Sequence, residues 1–214
     1  MPKREFHPPH IYEDNACYFL TASTRHHHAY LRTDDQRALV RDVLKAAVQD
    51  YGVTLYAWVI LADHYHLLLR TGQSIPLYRF IKRLHGESAI RLNQLDQTPG
   101  RQVWYQYWDR FPRDERGFWS YFNYIHINPL KHGYVTMGEA RPAPGPQPRQ
   151  AARVAGADVP VEDLHTVLTQ YRYSSYHYYL RKYGEEFLND AWARYPIPDY
   201  TEYDDFPEAG ARVG

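Results

Sequence analysis

Two histidines one residue apart, His64-Tyr65-His66, sit inside the apolar run Trp58–Leu69. In a β-strand, alternate side chains share a face and the chain rises about 3.3 Å per residue. Both imidazoles therefore project side by side, spaced to share one metal ion, while Tyr65, Leu67 and Leu69 turn the other way into a core. Such a pair takes a third oxygen or nitrogen donor and leaves a position open for substrate. Downstream, Tyr124 and Asn128 stand at i and i+4, on one helical face and about 6 Å apart along the axis. Asn128 can offer its amide oxygen to the ion, which leaves Tyr124 beside it as a nucleophile. A phenol, with a pKa of about 10, is mostly protonated at neutral pH. It attacks phosphorus when its own pKa is lowered or when the phosphate is made more electrophilic, and a divalent ion on a non-bridging oxygen does the latter. The product is a phosphotyrosine ester that conserves the bond energy for a reverse attack by another hydroxyl. The chain carries no Walker-type glycine loop, which agrees with chemistry independent of ATP.

These side chains need elements to hold them. Cys17–Thr24 is rich in strand formers. Thr33 caps a helix in which Leu39, Val43, Leu44, Ala47 and Val48 recur at helical spacing up to Asp50. Val53–Ile60 and His64–Arg70 read as a hairpin. Ser74 and Pro76 open a second helix, with Leu77, Phe80, Ile81, Leu84 and Ala89 at helical spacing, ending near Asn93. Gln102–Trp108 is an aromatic strand. A third helix, capped by Asp114, runs through Tyr124 toward Asn128, punctuated by Pro129 and Gly133. The order strand, helix, strand, strand, helix, strand is the split βαβ, ferredoxin-like or RRM-like arrangement. The expected fold class is α+β, a central antiparallel sheet with a tyrosine-bearing helix and a C-terminal helical extension. Residues 1–137 form the catalytic domain in this reading, 138–160 a Pro-rich flexible insert, and 161–214 an extension packed on the core. The lead-in 1–15 is broken by Pro8-Pro9, and the tail from Tyr195 onward is Pro- and acid-rich and irregular.

Composition narrows the function classes. Lys plus Arg equals Asp plus Glu at 25 each, so bulk charge does not drive nucleic-acid coating, although a local basic groove remains open. The 12 histidines and 21 tyrosines are the compositional excess, and tyrosines can stack on unpaired bases. One cysteine, Cys17, allows no internal disulfide and suits a reducing compartment. With no signal-peptide pattern and no apolar run of membrane-spanning length, a soluble cytoplasmic protein is expected.

The stretch Ile60-Leu-Ala-Asp-His64-Tyr-His66-Leu-Leu-Leu69 resembles the HUH motif of single-tyrosine transposases. Tyr124-Ile-His-Ile-Asn128-Pro-Leu-Lys-His-Gly133 resembles the tyrosine-bearing helix of the REP-associated tyrosine transposases, as do Trp104-Tyr-Gln-Tyr-Trp-Asp-Arg110 and Tyr173-Ser-Ser-Tyr-His177 in their places. The resemblance covers residues 10–135 and 170–180. It implies cutting and rejoining of single-stranded DNA at hairpin-forming palindromic elements, through a 5′-phosphotyrosine intermediate and with Mg²⁺ or Mn²⁺. Carried over, His64, His66 and Asn128 are metal ligands and Tyr124 is the nucleophile. Tyr65 stands where the family usually has an aliphatic residue.

Read without the resemblance, His64 and His66 are equally a solvent-facing pair on an edge strand, and Tyr124 a packed helix tyrosine. Tyr121 is the rival nucleophile, but it lies seven residues from Asn128. His126 faces elsewhere and reads as structural or as a phosphate contact, and His26–His28 as a surface loop. Arg79, Lys82 and Arg83 form a basic face on the second helix that suits phosphate contacts or plain solvation. Alternation puts Trp104 and Trp108 on one face and Tyr105 and Tyr107 on the other, one of the two free to stack a base. Trp104, Tyr107, Arg110, Lys131, Arg172, Ser174 and Ser175 complete the candidate DNA contacts. The expected partner is single-stranded hairpin DNA, with no membrane and no nucleotide cofactor, bound by a monomer or by a dimer. The competing functions are a ferredoxin-like nucleic-acid-binding module without catalysis and a metal-dependent phosphoester hydrolase using water.

Overall fold

The computed structural model of the chain describes residues 13, 15–73, 76–136, 151–154, 157–195 and 197, and for 151–154 and 157–163 the backbone alone. From β1 (Cys17–Thr24) the chain passes through a 3₁₀ turn (Arg25–His27) into α1 (Asp34–Asp50). The hairpin β2 (Thr54–Ile60) and β3 (His64–Arg70), then α2 (Leu77–Leu95) and β4 (Trp104–Arg110), complete the split βαβ unit. Its strands pair antiparallel in the order β2-β3-β1-β4. The expected α+β class is present. Beyond it come α3 (Glu115–Lys131), β5 (Ala151–Val154), β6 (Ala157–Pro160), α4 (Val161–Leu168) and α5 (Tyr176–Arg194).

Several expectations shift. β4 begins at Trp104 rather than Gln102, and α2 continues to Leu95. Within the stretch expected to be a flexible insert, β5 and β6 pair as a small antiparallel hairpin. Residues 138–150, Ser74, most of the lead-in and the tail beyond Ile197 lie outside the described residues.

Local chemistry starts the helices where the site needs them. Thr33 and Gln36 form a reciprocal capping box at α1. The Asp114 carboxylate accepts from Gly117 N at 2.7 Å and begins α3. Alternation on β3 then decides which helix meets which side chain. Tyr65 points to the α2 side, where its hydroxyl shares a 2.8 Å hydrogen bond with His85 Nε2. The other face meets α3, whose Tyr121 ring stacks on Phe19 at 4.3 Å.

From Ser120 to Pro129 every residue of α3 is buried, the pattern of a helix enclosed on all sides. One side faces the sheet. The other is held by the C-terminal region, where Asn123 Nδ2 donates to the carbonyls of Ala191 and Tyr195, each at 2.8 Å.

The segment Tyr171–Ser175 closes the β2 edge. Ile60 N donates to Tyr173 O at 2.9 Å, and Ser174 bridges Val59 in antiparallel fashion. Ser175 N donates to Trp58 O at 2.9 Å, Trp58 N donates back to Ser175 Oγ at 2.9 Å, and the Tyr171 hydroxyl donates to Ile60 O at 2.5 Å. An edge that would otherwise offer unpaired groups to another chain is thereby occupied. Ser175 Oγ also meets His126 Nε2 on α3 at 2.8 Å. The Ser175→Ala variant leaves the Trp58 N–H and the His126 ring without this partner. It is expected to lose about 1–3 kcal/mol of stability, read as a lower urea midpoint at unchanged m-value. A midpoint equal to wild type would contradict the clamp.

Candidate active site

The sheet register sets the histidines first. Thr21 lies opposite His66 and Ser23 opposite His64, so both β1 side chains share the histidine face. Thr21 Oγ1 and His66 Nδ1 are 2.8 Å apart, and Asp63 Oδ1 is 2.7 Å from His64 Nδ1. Each ring is held by its Nδ1, the arrangement that orients Nε2 for a ligand. The two rings are buried, with centroids 5.0 Å apart.

Helix α3 lays a stripe across them. The Tyr124 ring meets His66 edge-on at 5.3 Å, and the His132 ring, just past the helix end, meets His64 at 4.8 Å. Asn128 is midway between Tyr124 and His132 at helical spacing, so it lies over the gap between the two histidines. Its Nδ2 donates to Tyr124 O at 2.9 Å, which turns Oδ1 outward from the helix. His64 Nε2, Asn128 Oδ1 and Ser23 Oγ are fully buried and make no hydrogen bond. Buried polar atoms are nearly always satisfied, so such a set calls for a missing partner. Two imidazole nitrogens and an amide oxygen are donors that a divalent cation accepts. Among the described residues no group of three His, Cys, Asp or Glu side chains could hold an ion, because the third donor here is an amide.

Other groups surround this set. The Lys131 ammonium sits 5.1 Å from the centre of the Tyr124 ring. Burial alone would raise the Asp63 pKa, but the His64 hydrogen bond, with His27 and His132 nearby, outweighs it and holds the carboxyl below its usual range. His27 Nδ1 lies 3.6 Å from Asp63 Oδ2, so one of the three adjacent histidines does reach the site's margin. Asp63 is not among the candidates read from the sequence, although its place next to His64 was a signal for it. Thr21 and Ser23 carry no local signal and emerge only with the register.

The remaining candidates separate. On β4, the four residues Trp104–Tyr107 span three on β1, Ala22–Thr24, a bulge that breaks the expected alternation. Trp104 and Tyr107 therefore both approach His85, at 4.8 and 6.4 Å. Trp104 is only 5% exposed and donates to Ser88 Oγ, so it is a core residue rather than a stacking platform. Tyr107 packs half-buried beside it. Ser174 and Ser175 are likewise buried, their hydroxyls spent on the C-terminal clamp. Arg79, Lys82 and Arg83 sit on α2, across the sheet from the histidines, and Arg83 is paired with Asp50 and Glu87. Arg110 is exposed at the far end of β4, level with Leu68 across β1. Arg172 is exposed beside Asp34.

Residues 14–113 match the profile of the IS200-like transposase family, a span that includes both histidines and ends before α3. An Escherichia coli K12 protein, the REP-associated tyrosine transposase, is 26% identical over 130 residues, 58% of this chain and 72% of that protein. A Haemophilus influenzae protein given the same name provisionally is 27% identical over 107 residues, 45% of this chain and 61% of its own length. Over these spans the chain is similar to the REP-associated tyrosine transposases. The likeness extends to fold. A solved REP-associated tyrosine transposase bound to a REP hairpin superposes with a TM-score of 0.62 at 17% identity, covering 98% of this chain and 99% of that one. The proteins it resembles are named as transposases, which are enzymes, and the buried donor set holds the candidate residues for chemistry in this chain.

One titration follows from the helix that carries Tyr124. Burial pushes His126 down to about 3, so it stays neutral in the folded chain at neutral pH. The unfolded chain binds its proton near pH 6.5. Stability is thus level above that pH and falls below it, by roughly 1–2 kcal/mol between pH 7 and pH 5 from this group. Urea midpoints at the two pH values should show a smaller difference in His126→Gln than in wild type. Equal differences would contradict a neutral, buried His126.

Proposed function

We propose that this protein is a divalent-metal-dependent endonuclease and strand transferase acting on single-stranded, hairpin-forming DNA, with Tyr124 as nucleophile. The observation that carries the reading is the pair of buried atoms without hydrogen bonds, His64 Nε2 and Asn128 Oδ1, beside a tyrosine packed on His66. His64, His66 and Asn128 would hold the ion, and two nitrogens with one amide oxygen suit Mn²⁺ better than the oxygen-seeking Mg²⁺. When bound, the ion would polarise the phosphate and neutralise its charge.

The chain's own residues do the rest. Asp63 and Thr21 keep the two imidazoles turned so that Nε2 faces the substrate side. The Tyr124 oxygen attacks phosphorus, a new P–O bond forms to the phenol, and the P–O3′ bond breaks. The departing oxygen takes up a proton as a 3′-hydroxyl while the phenol gives one up, and the 5′-phosphate stays on Tyr124. Lys131 favours the phenolate through its nearby charge. A second 3′-hydroxyl attacking the same phosphorus restores the phenol and rejoins a strand. The hairpin partner rests on the relatives, one of which was solved with a REP hairpin. Occupation of the β2 edge by Tyr171–Ser175 supports a monomer. No helix among the described residues is long and apolar enough to cross a membrane, in keeping with a cytoplasmic site of action.

Incubation with hairpin DNA and Mn²⁺, followed by a denaturing gel, should reveal a covalent protein–DNA species that a chelator prevents. Tyr124→Phe should form none while binding the same DNA. Cleavage that persists in Tyr124→Phe would indicate a hydrolase using water, and binding without cleavage in wild type a non-catalytic module. Asp63→Asn should weaken Mn²⁺ binding by roughly 10–100-fold, measured by calorimetry without DNA. An unchanged affinity would remove Asp63 from the scheme.

A further inference from the structure

The strand transfer proposed above leaves one proton without a source. The 3′-oxygen must gain it on leaving phosphorus. Lys131 stands at the wrong end for this, over the ring of Tyr124. In-line displacement puts the attacking and leaving oxygens on opposite sides of phosphorus. Tyr124 packs on His66, so a phosphate held between the two histidines turns its leaving oxygen toward the His64 end.

At that end, imidazoles from three elements converge on the Asp63 carboxylate. His64 Nδ1 of β3 is 2.7 Å from Oδ1, and His27 Nδ1 of the 3₁₀ turn is 3.6 Å from Oδ2. His132, past the end of α3, also acts on Asp63 through its charge. His132 packs edge-on against His64, a proposed ligand of the ion. The His27 side chain is 38% exposed, and because Nδ1 faces Asp63, Nε2 on the opposite side of the ring is turned away from the carboxylate. A plain surface ion pair contributes little and needs no special backbone. Here His26 and His27 both have left-handed backbone, with φ of 53° and 51°. Side chains with a Cβ rarely adopt it, and strain of this kind gathers at functional sites. The turn is fastened around it. Thr24 Oγ1 donates to His28 O at 2.6 Å, Thr24 N to Asp63 O at 2.7 Å and Arg25 N to Val103 O at 2.8 Å.

We propose that His27 is a catalytic residue whose Nε2–H delivers the proton to the departing 3′-oxygen, while Asp63 holds the imidazolium by Nδ1. This role presupposes the Tyr124 transfer. Histidine is the side chain that holds and releases a proton near neutral pH. As the P–O3′ bond breaks, its electron pair stays on oxygen, and the proton from His27 makes it a 3′-hydroxyl. The imidazole is left neutral, with Nδ1–H still toward Asp63. When a second 3′-hydroxyl attacks the phosphotyrosine, Nε2 takes up its proton, the same step in reverse.

The test compares two leaving groups at one bond. The bond is located from the Tyr124 adduct on hairpin DNA, and the hairpin is then remade with sulfur in place of the bridging 3′-oxygen. A thiolate departs without a proton, so an acid helps only the oxygen substrate. In single-turnover reactions of the full chain with Mn²⁺, His27→Gln should form the adduct roughly 100-fold more slowly than wild type on the oxygen DNA. On the sulfur DNA it should match wild type, which also shows the variant to be folded. Its Mn²⁺ affinity without DNA should equal that of wild type. Wild-type rates on both substrates would overturn the role. Equal slowing on both, with weaker Mn²⁺ binding, would make His27 a support of the ion site and overturn it too. An oxygen-specific loss in His132→Gln but not in His27→Gln would assign the proton to His132 instead. Each of these results leaves the Tyr124 adduct, and so the nuclease reading, in place. Absence of any adduct from wild type would defeat that reading and this role with it.

Discussion

Strand β3 is hydrogen-bonded along both edges, to β1 on one side and β2 on the other. That confinement is what the candidate site depends on. Side chains on a strand alternate, so a slip of one residue would turn His64 and His66 into the α2 core and bring Tyr65 to their place. The pairing of Thr21 with His66 and of Ser23 with His64 excludes such a slip, and the Tyr65–His85 hydrogen bond secures the opposite face. A polar residue between the two histidines is therefore no obstacle to the site. It is anchored away from it, where burial raises the Tyr65 phenol and pushes His85 down to about 3, keeping both neutral.

Helix α3 supplies the other half, and its position is over-determined. Its sheet side lays Tyr124, Asn128 and then His132 along the histidine pair. Its far side is fastened to the C-terminal region through Asn123 and His126. Residues Tyr171–Ser175 serve both the edge of the sheet and the back of the helix. The C-terminal extension thereby connects the β2 edge to the helix that carries the proposed nucleophile. A site of this kind needs its side chains held to fractions of an ångström, and here His66 is braced by Thr21 on β1, His64 by the adjacent Asp63, and Asn128 by the Tyr124 carbonyl of its own helix.

Much of this was legible in the sequence because it depends on short-range rules. The histidine pair needed only the strand period, and the Tyr124–Asn128 stripe only the helix period. Capping at Thr33 and Asp114 placed α1 and α3. What failed depended on tertiary context. Period-two alternation assigned Trp104 and Tyr107 to opposite faces, and a bulge, which has no sequence signature here, brought them together. Ser174 and Ser175 stood among the candidate DNA contacts because nothing local shows that they pair with a distant strand. The basic face on α2 was recognised from spacing alone. The neutralisation of Arg83 within it depends on Asp50 from another helix as well as on Glu87.

The central claim is that His64, His66 and Asn128 together hold a divalent ion beside Tyr124. Diffraction from crystals of the full chain soaked in Mn²⁺, recorded where manganese scatters anomalously, addresses it directly. The expected result is one strong anomalous peak in contact with His64 Nε2, His66 Nε2 and Asn128 Oδ1, absent from crystals of His66→Ala. No peak at that place with manganese bound elsewhere, or an ion held without Asn128, would contradict it.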